Sequence, residues 1–372
     1  MEIYRRLELT KQHGNVISNS GAVHRLVIDE TGALYACGDN EFGQLGTGDT
    51  ENKLVLTRVV FNKAVKMASV GGNHTIIIDI EGAIYACGDN NCGQLGLGGD
   101  KEPRLTLVPI PFNEPVRSVI AGDCCTFVIT KIGKPYACGK NADGSLGLGY
   151  VENDDGSVGA GDKSLLTSVP FDHAVREVIL GGDHTLFLTE DGTLYGCGEN
   201  SAGQLGIEGV DLIYDITLLS LEDKVVAVAA GDRHTLVLTE EGKIYTCGDN
   251  CSGQLGQDCE DQVQGFVPIP LKEPVKMICA GYEHSLIVTR SGKLYACGSN
   301  EAGQLGLSVT DESREVMTLV PFSEEVAMIA AGCDHSTIVT TAGKTYVCGT
   351  NSSGQLCLND TDQRSALTLS SV

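Results

Sequence analysis

The 372-residue chain has no tryptophan, and its 26 Lys and Arg are outnumbered by 49 Asp and Glu, for a formal net charge of −23. With no cluster of cations larger than a pair such as Arg5-Arg6, a phosphate backbone would be repelled rather than held. Neither nucleic acid nor an anionic membrane is expected as a partner. An acidic surface favours a basic protein, although it also serves solubility alone. No apolar run approaches the roughly 18 residues of a spanning helix. No charged-then-apolar leader follows Met1. The expected location is therefore the cytoplasm, or the nucleus. Catalytic signatures are missing too: there is no Gly-x-Ser-x-Gly, no His-Glu-x-x-His and no Walker-type loop. A non-enzymatic binding protein without cofactor is expected.

Repetition takes the place of such motifs. Residues 281–306, GYEHSLIVTRSGKLYACGSNEAGQLG, recur seven times, with the tyrosine of the Tyr-x-Cys-Gly step at Tyr35, Tyr85, Tyr136, Tyr195, Tyr245, Tyr295 and Tyr346. A period of about 50 residues indicates a solenoid, a propeller or an array. Within the unit, residues 284–289 alternate apolar and polar side chains, a turn containing Gly292 follows, and residues 293–297 run back, which is a β-hairpin. Two further apolar runs, 316–320 and 326–330, complete four short strands. Four strands per unit predict a seven-bladed, all-β propeller with four-stranded antiparallel blades, a single monomeric domain over 1–372. The repeat hairpins fall near 24–46, 74–96, 125–147, 184–206, 234–256, 284–306 and 335–357.

Both chain ends bear on ring closure. Residues 16–17 resemble the step before every later histidine, so the chain enters part-way through a unit. The runs at 3–9 and 366–372 then compete for one remaining strand slot. Closing the ring with both termini in one blade would remove exposed sheet edges. Copy three is irregular: Cys125 replaces the repeat histidine, Pro135 interrupts the second hairpin strand and Ser145 replaces the glutamine of Gly-Gln-Leu-Gly. The 149–163 connection is about nine residues longer than its equivalents and carries Glu152, Asp154 and Asp155. Long loops in compact domains are functional or disordered; a merely solvated acidic loop is the alternative. Copy seven ends in Cys357 instead of glycine.

Seven of the fifteen cysteines, Cys37, Cys87, Cys138, Cys197, Cys247, Cys297 and Cys348, share one repeat position and should lie one per blade. That is too far apart to bridge, which predicts buried thiols packed between blades. The odd total favours a reducing compartment. His24, His74, His184, His234, His284 and His335 are likewise spread one per blade. They cannot converge on one ion, so no metal is expected and they should serve as buried hydrogen-bonding groups. The seven repeat asparagines, Asn40 to Asn351, should cap the glycine loops. Specificity is expected where residue type varies. The position before the histidine reads Val23, Asn73, Cys124, Asp183, Arg233, Glu283 and Asp334, and the one before that Ala22, Gly72, Asp123, Gly182, Asp232, Tyr282 and Cys333. If these turns share one face, they form a mosaic able to recognise a protein.

Tyr-x-Cys-Gly-x-Asn-x-x-Gly-Gln-Leu-Gly, preceded by Gly-x-x-His-(Ser/Thr), resembles the repeat of the regulator of chromosome condensation family. The family's usual Tyr-x-Trp-Gly step has cysteine in place of tryptophan in every copy. The resemblance implies a seven-bladed propeller with a blade completed by both chain ends. It further implies guanine-nucleotide exchange on a nuclear-transport (Ran-type) small GTPase, with a wedge from the third-blade region. With the variable turns and the copy-three loop as contact surface, the candidate partner-binding residues are Asp123, Asp143, Ser145, Glu152, Asp154, Asp155, Asp183, Asp232, Arg233, Tyr282, Glu283 and Asp334. The family's basic chromatin-binding tail has no counterpart in residues 1–17, and the tryptophans used by its ultraviolet-sensing branch are absent. The alternative is a scaffold propeller that binds a basic partner without affecting nucleotide turnover.

Overall fold

Repeating strand-forming segments, each bounded by glycine turns, dictate a molecule made of hairpins. The computed structural model describes residues 15–17, 23–152, 158–258, 261–310 and 313–370. These form seven four-stranded antiparallel sheets, each with its strands in chain order, as a seven-bladed propeller requires, and a two-stranded ribbon inserted before the fourth strand of blade three. In the second blade the strands are Val65–Val70, His74–Asp79, Ile84–Gly88 and Arg104–Pro109, and the other blades repeat this plan. The His-bearing strand is buried along its whole length, whereas the fourth is half exposed. First strands of successive blades touch one another, for instance Val65–Val70 and Val116–Ala121, which places them innermost.

The apolar core lies between blades rather than within one. Ile76 and Leu95 of the second blade pack with Val119 and Val128 of the third. A polar relay crosses the same seams. His Nε2 of one blade meets a hydroxyl of the next: His24–Thr75 at 2.9 Å, His74–Thr126 at 2.8 Å, His184–Thr235 at 3.1 Å, His234–Ser285 at 2.9 Å and His284–Ser336 at 2.9 Å. Each of these hydroxyls donates its proton back to a carbonyl of the preceding blade, as Thr75 does to Gln44 O at 2.8 Å and Ser336 to Gln304 O at 2.7 Å. With that proton committed, the imidazole Nε2 must be the donor.

The loop that closes each hairpin also spans a seam. Asn40 Oδ1 accepts the Leu45 N–H at 3.0 Å, and the equivalent bond recurs at all seven asparagines, to Leu356 N–H on Asn351. A Cβ added to Gly93 would lie 2.6 Å from Ser164 Cα, and one on Gly354 2.8 Å from Leu54 Cα, so the loop can lie against the next blade's outer strand only with glycine there.

Several expectations change. The segment Asn15–Ile17 is the first strand of blade one, and Arg364–Leu369 is the fourth of blade seven. The first and last blades meet across a seam, where Gly354 packs on Leu54 and the Asn359 N–H donates to Leu54 O at 3.1 Å. No blade among the described residues draws strands from both ends. The run at 3–9 and residues 371–372 lie outside the described residues. Pro135 does not interrupt its strand. It stands first in Pro135–Gly139, where no ladder donor is needed, and its carbonyl accepts Val169 N–H. Six repeat cysteines are free and buried, as expected. Cys37 is instead bonded to Cys357, which is not one of the mutually distant set.

Burial pulls the seam imidazoles down, to about 3 for His24, His234 and His284 and about 4 for His74, His184 and His335, from an ordinary 6.5. The unfolded chain therefore takes up protons that the folded ring refuses. This stability is complete above about pH 6.5 and is lost as pH falls towards the folded values, each neutral imidazole costing about 2 kcal/mol at pH 5. Thermal melts should accordingly show Tm falling steeply from pH 6.5 to 4, with uptake of several protons on unfolding. A flat profile there would contradict buried neutral histidines.

Candidate partner-binding face

Because the strands of each blade follow chain order and run antiparallel, the turn between strands one and two and the loop between strands three and four start from the same edge of the sheet. Among the described residues, the variable positions before the histidines and the ribbon of the 149–163 insertion therefore share one face of the ring. Backbone bonds tie the turns blade to blade: Gly72 N–H to Gly122 O, Gly182 N–H to Asp232 O, Asp232 N–H to Tyr282 O and Tyr282 N–H to Cys333 O, at 3.0–3.1 Å. The side chains on these turns are held around the ring by the scaffold.

Electrostatics on this face is crowded and acidic. Lys140, at the end of blade three's hairpin, reaches Asp183 at 2.6 Å and Asp143 at 2.9 Å. Burial works against its charge, but the two carboxylates outweigh it and raise its pKa. Arg233 Nη2 donates to Ser201 Oγ at 2.7 Å and lies 3.4 Å from Glu199. Desolvation between the turns pushes Asp232 up to about 6, with Asp183 and Glu199 adding to the rise while Tyr282 and Arg233 oppose it. Asp123 is raised by desolvation and by Asp183, and Asp334 by desolvation, Glu283 and Glu301. Tyr282 is 41% exposed, and desolvation together with Asp232 raises its phenol to about 12. Ser252 Oγ donates to Glu283 at 3.2 Å.

Asp123, Asp143, Asp183, Asp232, Arg233, Tyr282, Glu283 and Asp334 are thus brought onto one face. Ser145 is a correction: it is buried, and its carbonyl accepts Thr185 Oγ1 at 2.7 Å, so it belongs to a seam and not to a surface. Glu152 lies in a two-stranded ribbon, Val151–Glu152 paired with Val158–Gly159. Asp154, Asp155 and Ala22 lie outside the described residues. Sequence reasoning passed over Lys140, Glu199 and Ser201, which sit at the end of the hairpin or in the loop after it, at positions that otherwise read as structural. The signal was there: Lys140 occupies a position that is acidic or small in the other copies, such as Asp89 and Ser299. No group of His, Cys, Asp and Glu among the described residues is arranged to hold a metal ion.

The RCC1-like domain model matches residues 152–371, and the regulator of chromosome condensation (RCC1) repeat model matches 31–78 and 81–129. The chain belongs to the RCC1-like domain family. Among curated relatives, this RCC1-like chain is 34% identical over 116 residues to the secretion-regulating guanine nucleotide exchange factor of Bos taurus, a match spanning 31% of this chain and 24% of that protein. The chain spans less than half the length of the curated relatives it matches. Human WBSCR16 superposes with a TM-score of 0.82 at 22% identity, over 91% of this chain and 95% of that one. Prp20p of Saccharomyces cerevisiae, described with its binding properties to Gsp1p and histones, gives 0.80 at 24% identity, over 98% and 88%. At these identities the structures share the fold.

The Tyr282 hydroxyl bond favours the ionised form of Asp232. Tyr282→Phe should therefore lift the Asp232 pKa above about 6 in a carboxyl 13C titration. An unchanged or lower value would show that the two side chains do not meet.

Proposed function

We propose that this RCC1-like propeller is a protein-binding regulator of a small GTPase that acts by guanine-nucleotide exchange, without covalent chemistry of its own. The observation that carries the reading is topological. The acidic turns, the exposed Tyr282 and the ribbon Val151–Glu152 and Val158–Gly159 of the enlarged 149–163 connection lie on one face of the ring. A ring of fixed turns supplies a docking surface, and the ribbon inserted into blade three supplies an element that would contact a docked partner. Similarity to the bovine exchange factor supports the same reading. Exchange would follow if the face binds the nucleotide-free GTPase better than the loaded one, which shifts the population towards release. The partner's docking surface should be basic, because Asp123, Asp183, Glu283 and Asp334 outnumber Lys140 and Arg233 here.

Release of a fluorescent guanine nucleotide from a panel of small GTPases, the nuclear-transport type included, tests this. One member should release at least about tenfold faster with the propeller present, a gain of about 1.4 kcal/mol in barrier. Replacing residues 151–159 by a short Gly-Ser link should abolish the effect while thermal stability is kept. Asp162 must be spared, since its Oδ1 accepts the Asn141 N–H at 3.1 Å. No acceleration across the panel by a folded protein would overturn the exchange reading, and unchanged exchange after the replacement would remove the ribbon's role.

A further inference from the structure

The seam between blades seven and one is built differently from the other six, and two independent substitutions make it so. The first concerns the glycine that ends each Gly-Gln-Leu-Gly step. Gly46, Gly96, Gly147, Gly206, Gly256 and Gly306 all lie in the left-handed region, with φ between 65° and 74°. A Cβ on Gly46, Gly96 or Gly256 would come within 3.0–3.2 Å of the repeat cysteine Sγ in the next blade. Copy seven places Cys357 at this point, at φ 56°, a conformation that a residue with a Cβ rarely adopts. The next blade's repeat cysteine is Cys37, and the two are bonded across 320 residues of sequence with a Cα–Cα distance of 6.1 Å.

The second substitution replaces the repeat hydroxyl. Where the other blades carry Thr75, Thr126, Thr185, Thr235, Ser285 and Ser336, blade one carries Arg25. Arg25 is fully buried; its Nε and both Nη atoms find no hydrogen-bond acceptor among the described residues, and burial lowers its pKa to about 10. The His335 imidazole feels the Arg25 charge. At the repeat position of the relay hydroxyl this seam thus carries a buried cation, which is costly to desolvate.

We propose that the seventh seam is a covalent clasp: oxidation of Cys37 and Cys357 locks the ring at the junction where Arg25 stands in place of the repeat Thr or Ser. The oxidant is a low-molecular-weight disulfide such as oxidised glutathione. One cysteine thiolate attacks it, forming a mixed disulfide and expelling one thiol. The second thiolate then attacks the protein sulfur and expels the other thiol. Two protein thiols give up two protons and two electrons, and the oxidant leaves as two thiols. Cys37 and Cys357 are 0% and 2% exposed, so either direction of exchange requires the two blades to part. Once made, the clasp resists small reductants while the ring stays closed.

The full chain, refolded with oxidised and reduced glutathione, is alkylated, digested and mapped by mass spectrometry, and its Tm is compared with that of chain unfolded in dithiothreitol and refolded with the reductant present throughout. Peptides containing Cys37 and Cys357 should be found linked and unalkylated. Because closing so long a loop restricts the unfolded chain strongly, the oxidised protein should melt about 5–10 °C above the reduced one. Cys357→Gly should make Tm insensitive to reductant. It should also melt no lower than the reduced wild type, since glycine fits the left-handed backbone. Alkylated Cys37 and Cys357 after oxidative refolding, or a wild-type Tm unmoved by reduction, would overturn the proposal. Should Cys357→Gly fail to fold, mapping and melting of the wild type decide alone.

Discussion

The ring depends on a bond that no single blade can make. An imidazole in one sheet donates to a hydroxyl in the next, and that hydroxyl donates to a carbonyl of the first, as in His184, Thr235 and Gln204, with 3.1 and 2.7 Å between partners. A four-stranded sheet buried on both faces must satisfy its polar side chains on its neighbours or leave them unpaired at a cost of about 1–3 kcal/mol each. The repeat answers this with a fixed offset of about 51 residues between donor and acceptor. The small thiol fits beside the same carbonyl, with Cys247 Sγ 3.4 Å from Gln204 O. Apolar packing across the seam excludes water from these bonds and strengthens them.

Much of this was legible in the sequence because repetition is itself a comparison. Seven copies separate residues that serve the blade from residues free to vary, so the hairpins, the asparagine caps and the buried histidines could be read before any coordinates. The partner of each histidine could not, since it lies in the following copy and neither period nor pattern says which blade faces which. Cys37 escaped for the same reason: its partner Cys357 is not an equivalent residue but the glycine substitute of the preceding blade in the ring. Arg25 was visible as the one exception at a Thr/Ser position, yet its meaning needed the seam. Ser145 misled because a replaced repeat residue looks variable, although only its backbone carbonyl is used.

Rigid seams and a varied face divide the labour of the fold. The turns carrying Asp123, Asp183, Asp232 and Tyr282 are cross-linked by backbone bonds, so their side chains can change from copy to copy without disturbing the ring. That freedom explains how one propeller plan supports different partners, and why function must be argued from the face rather than from the fold. The acidic crowding around Asp232 and Lys140 is maintained against mutual repulsion by the scaffold beneath it.

The imidazole and the hydroxyl across a seam stabilise the ring together. A double-mutant cycle on His184→Ala and Thr235→Val, followed by denaturant unfolding, measures that coupling directly. The relay predicts that the two losses are non-additive by about 1–3 kcal/mol, because removing either partner strands the other. Losses that add within about 0.3 kcal/mol would mean that the two side chains stabilise their own blades independently, and would contradict the account.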